Sequence, residues 1–193
     1  MSNFFAFISR MKYINRWGLM RSTVSENIQE HSHTVAIIAH ALAVIANKNF
    51  SKNIDANRVA VIALYHDASE IITGDLPTPI KYYSQEIKEA YDKVEQIAKK
   101  RLVDMLPENM QDIFGEIIFA QGNDAELYKY VKAADVLSAY IKCIEECKAQ
   151  KGEFDEARKS IYKKIKKLDM PEVDLFMQEF IKGFELSLDE QQS

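Results

Sequence analysis

Cysteine, proline and glycine are all scarce in this chain: two, four and six of 193 residues. Each shortage excludes something. Cys143 and Cys147 sit four apart in a segment that reads as helix, a geometry that does not favour a disulfide between them. A disulfide-stapled extracellular scaffold is therefore out, and both thiols are expected to pack as small apolar groups. So few prolines and glycines leave no linker and no low-complexity tract, and they fit one all-α domain, residues 1–193, with short connections. A strong charge of either sign is missing too. Lysine and arginine number 25 against 29 aspartates and glutamates, a net charge of −4, so a general nucleic-acid or membrane-surface binder is not expected. Long apolar runs are absent: nothing approaches the roughly 18 consecutive residues of a membrane span. The N-terminal run is broken at Ser9, Arg10 and Lys12, so it lacks the core of a secretory signal. A soluble, cytoplasmic protein is expected.

What is present is helical periodicity. Phe4, Phe5, Ile8, Met11, Tyr13 and Ile14 approximate one face of a first helix. A second is expected from about 28 to 47, with Val35, Ile38, Leu42 and Ile45 on one stripe. A third begins after the N-cap Asp55, carries Val59, Ile62, Ala63 and the pair His66-Asp67, and runs to Gly74. The two prolines and one glycine of 74–79 predict a loop. Further helices are expected at about 84–105, 108–119, 124–149, 154–167 and 172–184, with Pro107 and Pro171 near helix starts.

Four residues on three of these helices carry the chemistry. Asp135 lies among small and apolar residues, with Ala134, Ser138 and Ile141 on its side of the helix. An ionised carboxylate facing inward there needs a partner: a metal cation, an arginine or a hydrogen-bond network. His66 and Asp67 end a core-like run just before a loop, and adjacent residues on a helix reach one ion only at its flank. His31, His33 and His40 offer a further imidazole, and spacing alone does not choose among them. Two imidazoles and two carboxylates suit a divalent first-row transition metal, and four protein ligands leave coordination positions open for hydrolysis.

The arrangement His31…His66-Asp67…Asp135 resembles the H…HD…D motif of the HD-domain phosphohydrolase superfamily. Ile14-Asn15-Arg16-Trp17, Glu30-His31-Ser32, Tyr65 to Glu70, Thr73 to Pro79 and Lys132 to Asp135 make it similar to the bacterial 5′-deoxynucleotidases of that superfamily, and the likeness continues through Ser187 to Glu190. The resemblance implies a single HD-domain helical bundle with a metal site between core helices. It implies one divalent ion (cobalt, manganese or copper) on His31, His66, Asp67 and Asp135. It also implies a homodimer that removes phosphate from 2′-deoxynucleoside 5′-monophosphates, broadly for base and selectively against ribonucleotides.

Roles for the remaining residues follow. Glu70, one turn after His66, is the candidate for orienting or deprotonating the attacking water. Asp75 is the candidate for protonating the leaving 5′ oxygen or binding the sugar 3′-OH. Arg16 offers a planar fork for phosphate oxygens. Trp17 can lie against the sugar, and the resemblance implies that its ring fills the volume of a 2′-OH. Substrate contact is implied for His31, Asp67 and Asp75 and across Leu76, Pro77 and Thr78. Glu30, Ser32 and Ser69 are the nearby polar groups available to orient the histidines, and Lys129 and Lys132 are possible extra cations. The alternatives are another HD-type activity, on a deoxynucleoside triphosphate or a cyclic dinucleotide, and a catalytically silent nucleotide-binding module. A triphosphatase needs more cations near the motifs, the cyclic-dinucleotide class usually carries a Gly-Tyr-Pro run that is absent here, and a silent module has no use for the full ligand set.

Overall fold

The computed structural model describes residues 1–81, 83–122, 124–150 and 152–192. They form an all-α protein, as the periodicity predicts, and among them the only β pairing is a single bridge between Asn15 and Asn27. The order is α1 (Phe4–Ile8), a 3-10 turn (Ser9–Tyr13), α2 (Ile28–Phe50), α3 (Ala56–Tyr65), α4 (Glu70–Thr73), α5 (Thr78–Lys81), α6 (Gln85–Asp104), α7 (Glu108–Phe119), α8 (Asp124–Ala149), α9 (Asp155–Ile165), α10 (Pro171–Glu179), a 3-10 turn (Ile181–Glu185) and α11 (Leu188–Gln191). No described helix is long and apolar enough to cross a membrane.

The two helices that frame the site have well-defined starts or faces. Asn27 caps α2 by accepting from Gln29 and Glu30 amides, while Glu30 returns a bond to the Asn27 amide, a complete capping box. Ile28, Val35, Ile38, Leu42 and Ala46 then bury one face of α2. That face packs on Val59, Ile62 and Ala63 of α3 and on Tyr130, Val131, Ala134, Leu137 and Ile141 of α8, with α10 closing the cluster through Val173 and Phe176. A second cluster joins α1, α6 and α7 through Phe4, Leu102, Val103, Leu106 and Ile118, and reaches Ala68 at the site. Burial of these side chains supplies the main stabilisation, about 1.5–3 kcal/mol for each large one.

Four expectations are corrected. The first helix ends at Ile8 and tightens into a 3-10 turn. Phe4 and Met11 are buried, whereas Phe5 and Tyr13 of the supposed face are exposed. The third helix does not continue to Gly74: it stops at Tyr65, and 66–69 form tighter turns before α4. The 74–79 loop ends early, because Thr78 and Pro79 already belong to α5. The last long helix stops at Glu179 and changes to 3-10 at Ile181.

Candidate metal centre

The break after Tyr65 builds the site. The Ala63 carbonyl would ordinarily accept from the Asp67 amide, but it takes His66 Nδ1–H at 2.7 Å instead. That bond anchors the His66 ring and turns its Nε2 towards Asp67, whose Oδ2 lies 3.2 Å away. From α2, the fully buried His31 brings its Nε2 to 3.5 Å from the same Asp67 oxygen and 3.0 Å from Asp135 Oδ1 of α8. His31 Nδ1 is engaged by Ser138 Oγ at 3.3 Å. The two rings lie 5.3 Å apart.

Both Nε2 atoms are buried and have no hydrogen-bond partner, although carboxylate oxygens lie 3.0 to 3.5 Å away. Buried polar nitrogens are rarely left so. His66 Nδ1 can only donate to the Ala63 carbonyl, so its Nε2 has a lone pair to give, the tautomer a metal-ligating histidine requires; His31 takes the same tautomer when its Nδ1 donates to Ser138 Oγ. His31, His66 and Asp67 each offer a donor within 4.8 Å of the others, so these three residues could hold a metal ion. Asp135 touches this trio at one corner, through His31. Its setting differs from the sequence expectation: the carboxylate faces the site, yet 43% of the side chain is open to solvent. It is a rim group, not a core one.

The carboxyls have unequal protonation. Burial pushes Asp67 up, but in the metal-free protein the His66 and His31 rings, when protonated, and the Arg16 guanidinium outweigh it and hold the carboxyl far below the usual range. Asp135 is lowered too, against burial, chiefly by the adjacent His31 ring. Glu70 is the opposite case. Burial, followed by the charges of Asp67 and Asp75, pushes it up to about 10 against Arg16 and Lys81, and its Oε2 is buried without a partner. Asp75 is raised by burial and by Asp67, with Arg16 and the Trp17 amide pulling the other way. Thus Glu70 and Asp75 both lie within electrostatic reach of Asp67.

Arg16 and Trp17 enter on the segment before α2. Arg16 Nη1 reaches Asp67 Oδ2 at 3.4 Å, and its Nε donates to Glu26 Oε2 at 3.1 Å. Burial opposes the Arg16 charge, but Asp67, Asp135, Glu26 and Asp75 hold it fully on. Trp17 packs on buried Phe154 with ring centroids 5.4 Å apart. Its backbone is left-handed, φ 60, which costs a residue with a Cβ about 1 kcal/mol or more and persists only where neighbours over-determine it. Leu76 and Pro77 follow Asp75 half-buried on the loop, and Thr78 is exposed at the start of α5.

Some predicted residues are elsewhere. Lys129 and Lys132 line another cavity of about 370 Å³ with Lys52 and Glu172. Two orienting groups were missed. Ser138 reads in the sequence only as a neighbour of Asp135, and the Ala63 carbonyl has no mark in a sequence. Glu26 was missed as well, because its contacts come from pairing across the Asn15–Asn27 bridge.

Comparison with known proteins gives the family. The profile described as 5′-deoxynucleotidase YfbR-like matches residues 3–184. The chain is similar to the 5′-deoxynucleotidase yfbR of Photorhabdus temperata, 50% identical over 190 residues that cover 98% of this chain and 96% of the relative. Among solved structures it resembles an HD-domain phosphohydrolase of Listeria innocua, with TM-score 0.80 and 20% identity over 99% of this chain and 92% of that one. It also resembles the HD phosphohydrolase DatZ of cyanophage S-2L, solved with dA and one catalytic Zn²⁺, with TM-score 0.65 and 21% identity over 92% and 95% of the two chains. At these identities the two structures speak to the fold alone, whereas the profile and the half-identical relative span nearly the whole chain: this protein belongs to the YfbR-like 5′-deoxynucleotidase family.

Proposed function

We propose that this chain is a metal-dependent 5′-nucleotidase that hydrolyses 2′-deoxyribonucleoside 5′-monophosphates to deoxynucleoside and phosphate, broadly for base and selectively against ribonucleotides. The observation that carries the reading is the pair of buried, partnerless Nε2 atoms on His31 and His66 facing Asp67. Family membership and the likeness to a fold solved with dA and zinc support it.

In this reading His31, His66, Asp67 and Asp135 hold one divalent ion, with cobalt, manganese and copper the candidates. When bound, such an ion polarises a phosphoryl oxygen and acidifies a water. The chain's own groups do the rest. Arg16, kept charged and aimed by Glu26 and Asp67, presents its remaining N–H groups to the phosphate. Glu70 holds a proton that burial and two neighbouring carboxylates keep on. With a cation bound nearby its pKa would fall towards neutral pH, and the Glu70 carboxyl could then exchange a proton with the attacking water. Asp75, beside Arg16 and the Trp17 amide, is the group for the leaving 5′ oxygen or the sugar 3′-OH. Leu76, Pro77 and Thr78 continue that wall, His31 and Asp67 border the phosphate, and the Trp17 ring, backed by Phe154, excludes a 2′-OH by contact. A homodimer, implied by the family resemblance, and a cytoplasmic location, expected from the broken N-terminal apolar run, belong to the same reading.

The test is phosphate release from dAMP, AMP and dATP by metal-stripped protein with cobalt added back. Cobalt-dependent release from dAMP, with AMP slower by more than about 10²-fold, is expected. Equal release from dAMP and AMP removes the role given to Trp17. Release from dATP in preference to dAMP favours a triphosphatase, and no release from any overturns the reading.

A further inference from the structure

Arg16 and Trp17 are consecutive, so in extended backbone their side chains would point to opposite sides. The left-handed backbone at Trp17 changes that, and the two side chains converge on a single atom. Glu26 Oε2 accepts from Arg16 Nε at 3.1 Å and from Trp17 Nε1 at 2.9 Å. The meeting is enforced by the backbone as well. Asn15 and Asn27 form an antiparallel bridge, and the Arg16 amide donates to the Glu26 carbonyl at 2.8 Å. Only 16% of the Glu26 side chain and 13% of that of Arg16 are accessible, so water competes little for these bonds.

From this convergence we propose that Glu26 is a positioning residue that couples phosphate binding to sugar selection. The inference rests on the reading of Arg16 as the phosphate group and Trp17 as the sugar wall. Given that, one carboxylate fixes the guanidinium fork and the indole edge relative to each other. A substrate whose phosphate is seated on Arg16 therefore meets the Trp17 ring at a set distance. Without the carboxylate, Arg16 swings towards Asp67 alone and the indole loses its only polar tether among the described hydrogen bonds.

The experiment measures kcat and KM for dAMP and AMP, with cobalt saturating, in wild type, Glu26→Ala, Glu26→Gln and Trp17→Ala. Cobalt binding is measured in parallel. For Glu26→Ala the KM for dAMP is expected to rise about tenfold, and the dAMP-over-AMP ratio of kcat/KM to fall about tenfold, the size of losing a hydrogen bond to a charged group. Cobalt binding should be unchanged. Glu26→Gln keeps an acceptor for Trp17 but gives Arg16 no charge, so most of the sugar ratio should return while KM stays high. That split also serves if Glu26→Ala does not fold. An unchanged ratio and KM in both Glu26 variants, with a narrowed ratio in Trp17→Ala, overturns this inference alone. So does an equal fall in kcat on both substrates with the ratio intact, which marks a purely structural role. An unchanged ratio in Trp17→Ala overturns the reading of Trp17, and the coupling falls with it.

Discussion

One hydrogen bond orients His66: Nδ1 donates to the Ala63 carbonyl, which leaves the Nε2 lone pair facing the Asp67 side and able to take a metal. Glu70, four residues on, is shaped by the opposite condition, burial beside two carboxylates without a partner. Its carboxyl, pushed up to about 10, lies above its ordinary 4.5, so between those values the folded state holds a proton the unfolded chain has released. The stability this proton brings is complete below the unfolded value and is lost as pH rises through the window. Glu70→Gln is therefore expected to melt higher than wild type at pH 8 in the metal-free protein, and to match it near pH 4. The same variant should bind cobalt normally and lose about 10²–10⁴-fold in kcat on dAMP. Melting curves at the two pH values and one kinetic assay check both halves. Neither the His66 bond nor the Glu70 environment is readable from residue types: His66-Asp67 was legible as a pair of donors, but the atoms that orient them come from elsewhere in space.

At the level of elements, the segment before α2 needs an anchor, because it has no regular structure of its own between the 3-10 turn and Asn27 beyond the single bridge. α8 supplies the anchor. Glu146 accepts from the Thr23 amide and hydroxyl, each at 2.7 Å, and from the Val24 amide at 3.2 Å. Lys142 donates to the Val24 carbonyl at 2.6 Å and pairs with Glu146. Both side chains are buried. Burial pushes the Glu146 carboxyl up, and the Lys142 ammonium with the Thr23 and Val24 donors outweighs it, to about 2. Its folded value is depressed below 4.5, so its contribution is present above that pH and is lost as pH falls towards 2. Glu146→Ala strands the Lys142 charge and is expected to cost about 3 kcal/mol at pH 7. In Glu146→Gln the deficit against wild type should close on acidification through that window, which urea melts across pH would register. The helices themselves were largely legible: α2, α6, α7 and α8 fall within a few residues of their expected spans, because apolar periodicity and caps such as Asp55 are local. The break in the third helix was not, since the His66 side chain competing for the Ala63 carbonyl leaves the pattern of Val59, Ile62 and Ala63 untouched.

For the whole molecule, the site exists because three long segments are packed against one core. α2 delivers His31, the end of α3 delivers His66 and Asp67, and α8 delivers Asp135 and Ser138. The family resemblance marks His31, His66, Asp67 and Asp135 with Arg16 and Trp17 in the sequence; the fold brings His31, His66 and Asp67 together and sets Asp135 and Arg16 against them. Glu26, Ser138 and Glu146 were not legible there, because their contacts join residues 10, 107 and about 120 positions apart, set by folding and not by spacing. The same geometry makes the central claim testable in one titration. Cobalt is added to metal-stripped wild type and to Asp67→Ala, each followed by visible absorption and by phosphate release from dAMP. Wild type is expected to take up one cobalt per chain and to gain activity in step with occupancy, while Asp67→Ala, still helical by circular dichroism, does neither. Cobalt uptake and dAMP turnover at wild-type levels in Asp67→Ala would contradict the assignment of the metal to His31, His66 and Asp67.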